Sequence, residues 1–181
     1  MSLRPRDVLD FWFAAGPEKW FAKDAVFDAD VAKKFSVPYA QAASGALNEW
    51  AKEGQGALAL VILLDQFSRN LYRNDHRAFL QDVQALTIAE QSIERRFDVE
   101  TLVTARKWFY MPFMHAEDLK TQMDGLSLIQ TRLSDPETLR YAEIHMDIIR
   151  RFGRFPHRNA VLGRVTTPDE QSFLDMGGFA G

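Results

Sequence analysis

The chain has 181 residues, enough for one domain with a full core and too few for two comfortable ones. Its 46% hydrophobic and 26% charged residues exclude a disordered chain, and a net charge of −3 argues against a polyanion such as DNA. The absence of cysteine excludes disulfides, thiolate metal sites and cysteine nucleophiles, and fits a reducing compartment.

Helical signals run from end to end, and good strand signals do not appear. "RDVLDFWFA" opens a short helix closed by a turn at Gly16-Pro17. Val31, Phe35, Ala42 and Trp50 mark further apolar positions, and Pro38 is expected to kink or break that run. "ALALVILLDQF" is apolar on all sides and reads as a central, buried helix, far too short to span a bilayer. "HRAFLQDVQALTIAEQSIERRF" places apolar residues at 79, 80, 83, 86, 89 and 93, an amphipathic stripe.

"TLVTARKWFYM" is a helix interrupted by Pro112, and another runs from about Asp118 to Leu133. "SDPE" at 134–137 is a capping-box start for a helix ending near Phe152. "TPDE" at 167–170 repeats the device, with Thr167 as cap and Glu170 reaching back. The last helix stops at "MGGFAG", with fraying expected over 177–181. The expectation is a single all-α domain of eight to nine helices with its core over about 5–176. The N-terminus has no uninterrupted apolar run or cleavage site, so a cytoplasmic location is expected, with no membrane partner.

Several polar residues fall on apolar faces. Asp65 shares a face with Leu58, Val61 and Ile62, and Arg69 stands one turn later. A structural Asp–Arg pair and a pocket carboxylate surrounded by Arg69, Asn70 and Arg73 are both consistent with that spacing. His145 lies on the stripe of Tyr141, Ile148, Ile149 and Phe152 and points inward, either as a satisfied core histidine or as a functional one. His115 and Glu117 follow a dense aromatic segment at a spacing that does not chelate one ion from a regular helix. No metal-binding motif is present, and neither a metal nor a cofactor is expected.

"RRFGRFPHRN", 150–159, has no acidic residue within it. Arg150 and Arg151 belong to a helix end, where positive charge complements the macrodipole. Arg154, His157, Arg158 and Asn159 lie beyond Gly153 around a Phe-Pro bend. That loop suits carboxylate or phosphate recognition, unless its arginines pair internally with Asp65, Asp82 and Glu117.

Five segments carry a family resemblance: "VLDFWF", "LVILLDQFSRNLYR", "YMPFMHAE", "HMDIIRRFGRFPHRNAVLGR" and "TTPDEQSFL". Over about residues 6–175 the chain resembles the bacterial family labelled domain of unknown function 924. The resemblance implies a tetratricopeptide-like superhelix and no particular activity. It marks Asp65, Gln66, Arg69, Asn70, Arg73, His115, Glu117, His145, Arg154, His157, Arg158, Asn159 and Arg164 as motif positions. Ser68 stands where the family usually has proline, and Ala116 where it usually has serine. The latter puts any serine chemistry beside His115 in doubt.

The leading expectation is a small-anion site lined by Asp65, Arg69, Asn70, Arg73, Arg154, His157, Arg158, Asn159 and Arg164. His115, His145 and Glu117 are its candidates for acid–base or hydrolytic chemistry. The rival is a non-enzymatic module for a peptide or protein partner, in which the polar cluster is structural.

Overall fold

Residues 3–179, described in a computed structural model, form helices, and no strand occurs among the described residues. Contacts divide the chain into two compact units, 1–73 with 77–112 and 74–76 with 113–181. No helix among the described residues is long and apolar enough to cross a membrane.

In the first unit, α1 (Pro5–Ala15) begins with proline at its first position and buries Val8 and Trp12. Gly16 separates it from α2 (Pro17–Trp20). Next, α3 (Ala25–Ala43) is capped by Asp24, whose carboxylate accepts from the amides of Val26 and Phe27. Pro38 lies inside α3 and does not break it. Losing one amide donor costs about 3 kcal/mol. Phe27, Val31, Phe35, Pro38, Tyr39 and Ala42 share the buried face, and each large side chain returns about 1.5–3 kcal/mol.

The apolar central segment forms one rod from α4 (Gly54–Val61), a π-helical turn over Ile62–Phe67, and α5 (Ser68–Leu71). Residues 57–64 are all 2% exposed or less, the all-round burial their composition calls for. The π turn was not legible in the sequence. Such insertions re-aim the residues that follow, and they occur often at functional positions.

Helix α6 (Asp82–Glu94) corrects the proposed stripe. Its buried residues are Ala85, Ile88, Ala89 and Ser92, whereas Leu80 and Val83 are 59% and 76% exposed. A short 3-10 turn over His76–Phe79 ends before the helix begins, so the sequence period does not carry across 80–82. After α7 (Phe97–Glu100) and α8 (Val103–Arg106), a 3-10 turn at Lys107–Phe109 brings in the second aromatic run. Trp108 meets Trp12 and Trp20 edge to face, each at 5.0 Å between ring centroids. Both aromatic motifs therefore contribute to the core. Pro112 sits in the first turn of α9 (Met111–His115), where its missing amide is harmless.

The second unit contains α10 (Leu119–Arg132) and α11 (Pro136–Phe152), which pack side by side. The α11 cap is Asp135 rather than Ser134, accepting from the amides of Glu137 and Thr138. Gln122 of α10 donates to the carbonyls of Met114 and Ala116, fixing the segment that carries His115. Gly125 is required by close approach, because a Cβ there would lie 2.5 Å from that of Phe113. Gly125→Ala is expected to cost about 1–3 kcal/mol by overpacking, read as a lower denaturation midpoint with unchanged circular dichroism. Finally, α12 (Pro168–Asp175) has the reciprocal box foreseen, Thr167 and Glu170 each accepting from the other's amide.

Candidate functional site

Four of the predicted ligand-binding residues lie in the first unit, around the π turn. Asp65 is fully buried and accepts from the Gln66 amide, and Arg69 lies 3.4 Å from its other oxygen. Arg69 forks Asp82 with two bonds of 3.0 Å. Burial alone lowers its pKa, but Asp82 and Asp65 outweigh that and hold it above the ordinary value. Burial, with Tyr72 and Asp82 behind it, pushes the Tyr39 hydroxyl up to about 12. Asn70 and Arg73 converge instead on Asp28. The amide donates at 2.8 Å and the guanidinium makes two bonds of 2.7 Å. Nothing in the sequence links Asp28 to residues more than forty positions away. Arg69 and Arg73 are thus met by Asp65, Asp82 and Asp28.

The remaining candidates lie in the second unit, and two pairs there brace the loop after α11. Glu117 accepts two Arg164 bonds of 2.6 and 3.0 Å. It also accepts the Phe155 amide at 2.8 Å, while Arg164 donates to the Phe155 carbonyl at 3.1 Å. The pair thus holds both backbone groups of Phe155. Burial raises the Glu117 pKa, but the Arg164 bond, the Phe155 amide and the Arg158 charge bring it below the ordinary value.

The second brace is Arg154 with Glu170, joined by bonds of 2.6 and 2.9 Å. Asn159 donates to the same carboxylate at 3.1 Å, and the Thr167 amide at 2.8 Å. Glu170 is 3% exposed, and Arg154 above all brings its pKa down to about 2. The helix-start motif identified Glu170 as a capping residue and masked this second use.

His145 and His157 both pack against Phe155. His145 is 7% exposed, and its Nδ1 lies 2.7 Å from the Tyr141 carbonyl. A carbonyl only accepts, so Nδ1 carries the proton and the neutral ring presents a bare Nε2. Burial, then the neighbouring His115, Arg158 and His157, lower the His145 pKa to about 3; the Tyr141 bond opposes them. The His115 ring centroid is 6.5 Å away. Phe155 meets His145 at 5.4 Å and His157 at 5.5 Å, and the Arg158 guanidinium lies over its face at 4.4 Å. Arg158 is 5% exposed and His157 half-buried.

Around Phe155, Arg154 is braced by Glu170 and Arg164 by Glu117, and the Arg158 guanidinium also contributes to holding the Glu117 pKa down. No group of three or more residues able to hold a metal ion occurs among the described residues. An open depression of about 400 Å³ beside the end of α11 and α12 is lined by residues such as Arg151, Phe173 and Met176, none of them a predicted site residue.

Comparison with known proteins adds a family and no activity. Residues 8–178 match the profile of a family described as "Bacterial protein of unknown function (DUF924)". The solved structure of a protein of unknown function, ATU0120 from Agrobacterium tumefaciens, is 42% identical. It aligns with a TM-score of 0.92 over 96% of this chain and 97% of that one. No curated protein matches the sequence.

Proposed function

Since the chain belongs to the bacterial DUF924 family of unknown function, its relatives lend it no activity, and we propose from its own geometry that it binds a small anion, a carboxylate or phosphate, at His115, His145, His157 and Arg158. The observation that carries this reading is the tautomer of His145. Its Nδ1 proton is committed to Tyr141, and its Nε2 lone pair is held unprotonated beside other cationic or titratable side chains.

A bare Nε2 suits a ligand that brings a proton, such as a hydrogen phosphate. An approaching negative charge also raises the imidazole pKa and draws a proton onto it. Acid–base catalysis by His145 follows only in that liganded state, because a base with a pKa of about 3 is mismatched to neutral pH. Glu117 is then a brace rather than a proton carrier, being committed to Arg164 and Phe155.

Calorimetric titration with inorganic phosphate and with acetate, in buffers of unequal ionisation enthalpy, tests this. Saturable binding with net proton uptake near neutral pH is expected for at least one of them. Arg158→Gln, with folding verified by circular dichroism, is expected to weaken it about tenfold or more, the loss of one charge-assisted bond. Absence of binding to the wild type, or equal affinity in the variant, would contradict the proposal.

A further inference from the structure

Phe179 follows directly on a helix-ending turn of defined geometry. The Gly178 amide donates to the Phe173 carbonyl at 2.9 Å, the Gly177 amide donates to Leu174 at 3.1 Å, and Gly177 has φ of +77°. Those two bonds and the left-handed residue between them constitute a Schellman turn. A Cβ on Gly178 would come within 2.5–2.6 Å of the Phe173 ring tip, so the second glycine lets the backbone lie against that ring. The sequence expectation for 177–181 was a fraying end; Gly177–Phe179 adopt this turn, and residues 180 and 181 lie outside the described residues.

The turn directs Phe179 onto the histidines. Its ring centroid is 4.5 Å from that of His145 and 5.4 Å from that of His157. Phe155 touches the same two imidazoles from its own position in the loop after α11. The four rings close a circuit in which phenyl and imidazole alternate. Phe155 is held there through both of its backbone groups by Glu117 and Arg164. Phe179, half-buried, is anchored by the turn and by ring contact. One phenyl is thus held through its backbone, and the other follows the Schellman turn and packs against the buried cluster of Ile148, Ile149 and Phe155.

We propose that the Phe179 ring occupies a subsite for a planar apolar ring, so that the ligand of the histidine–Arg158 cluster is an anion bearing such a ring, an aryl phosphate or aromatic carboxylate, which displaces Phe179 on binding. The inference rests on the anion-site reading above and narrows it to a ligand class. An aromatic ring between two imidazoles meets an edge or a face on each side, an arrangement that any planar ring of similar size reproduces. The Arg158 guanidinium, held over Phe155, is the charged neighbour that selects for the anionic group. The Phe179 ring then competes with the ligand, and apparent affinity falls to the intrinsic affinity multiplied by the fraction of molecules in which the subsite is open.

The test compares phenyl phosphate, inorganic phosphate and benzyl alcohol on the wild type, Phe179→Ala and Phe179→Leu by calorimetric titration. Phe179→Ala is expected to bind phenyl phosphate about tenfold more tightly than the wild type, as for a subsite filled roughly nine-tenths of the time. Inorganic phosphate is expected to bind both within about twofold, since it does not need the ring subsite. Phe179→Leu, which keeps apolar bulk without a planar ring, is expected to fall between them and guards against a packing defect in the alanine variant. Phenyl phosphate bound equally or more weakly by Phe179→Ala overturns the ring subsite, while continued phosphate binding leaves the anion reading standing. Benzyl alcohol matching phenyl phosphate in the alanine variant overturns the anionic class of the ring-bearing ligand, though not the ring subsite, and the anion reading then stands or falls with inorganic phosphate. Failure of all three compounds to bind any of the proteins overturns both.

Discussion

Replacing Glu170 with alanine is expected to lower the unfolding free energy by about 3 kcal/mol, one of the two largest effects anticipated here. The carboxylate is 3% exposed and accepts from the Arg154 fork, the Asn159 amide and the Thr167 amide. Its removal leaves an arginine without its charged partner, withdraws a bond from Asn159 and removes the reciprocal half of the α12 capping box, the bond from the Thr167 amide. Arg154 is 29% exposed, so water recovers part of its loss. That places the cost at the lower end of the range for breaking a buried pair, and Arg154→Ala is expected to cost less than Glu170→Ala. Urea denaturation of the single and double variants checks this, with a coupling energy of about 1–2 kcal/mol expected between the two sites. A change below about 0.5 kcal/mol in Glu170→Ala would place the pair among ordinary surface contacts.

Acid is expected to destabilise the protein through two overlapping windows, of which only the His145 window extends above pH 4.5. His145 has a folded pKa of about 3 against an ordinary value of 6.5. Between those values the unfolded chain binds the proton and the folded chain does not. Stability from this group is therefore fully present above pH 6.5 and is lost as the pH falls, at up to about 1.4 kcal/mol per pH unit. Glu170 has the same sign lower down: its folded pKa is about 2 against 4.5, so its contribution is present above 4.5 and disappears toward 2. His145→Gln is expected to flatten the stability profile between pH 6.5 and 4.5 and to leave below 4.5 only the shallower fall that the carboxylates contribute. Denaturation midpoints measured across pH 3–8 on wild type and variant decide the matter. An unchanged slope above pH 4.5 would show that His145 is not held neutral by the fold.

Much of the architecture was legible because local chemistry dictates it. Thr167-Pro168 and Glu170 specify a helix start whatever surrounds them, and the apolar run 57–64 admits no exposed face. Pro38 misled because a propensity cost of one amide bond is smaller than the burial of the face it belongs to. The α6 stripe misled because a short 3-10 turn shifts phase, and apolar periodicity alone does not reveal where a helix begins.

The candidate residues were recognised as a set, and internal pairing with Asp65, Asp82 and Glu117 was one of the two readings the sequence left open. Arg69, Arg73, Arg154 and Arg164 are each closed by a carboxylate, two of them by Asp28 and Glu170, which the sequence did not offer as partners. Asp28 and Glu170 carry no local signal of that role, since pairing across many residues is decided by tertiary approach. His145 was legible as an inward-facing imidazole from its place on the α11 stripe. Its tautomer follows only from the Tyr141 carbonyl, and Phe179 drew no notice in a segment read as a fraying end.

Histidine side-chain nitrogen–proton correlation spectra, recorded at pH 7 during titration with inorganic phosphate, test the central claim most directly. His145 is predicted to appear in the ligand-free protein as the neutral Nδ1–H tautomer. Its signals and those of His157 are then predicted to move saturably toward the protonated form as phosphate is added. His76, beside Asp75, is predicted to stay in place. Histidine signals that ignore phosphate, or that all drift together without saturation, would contradict an anion site at this cluster.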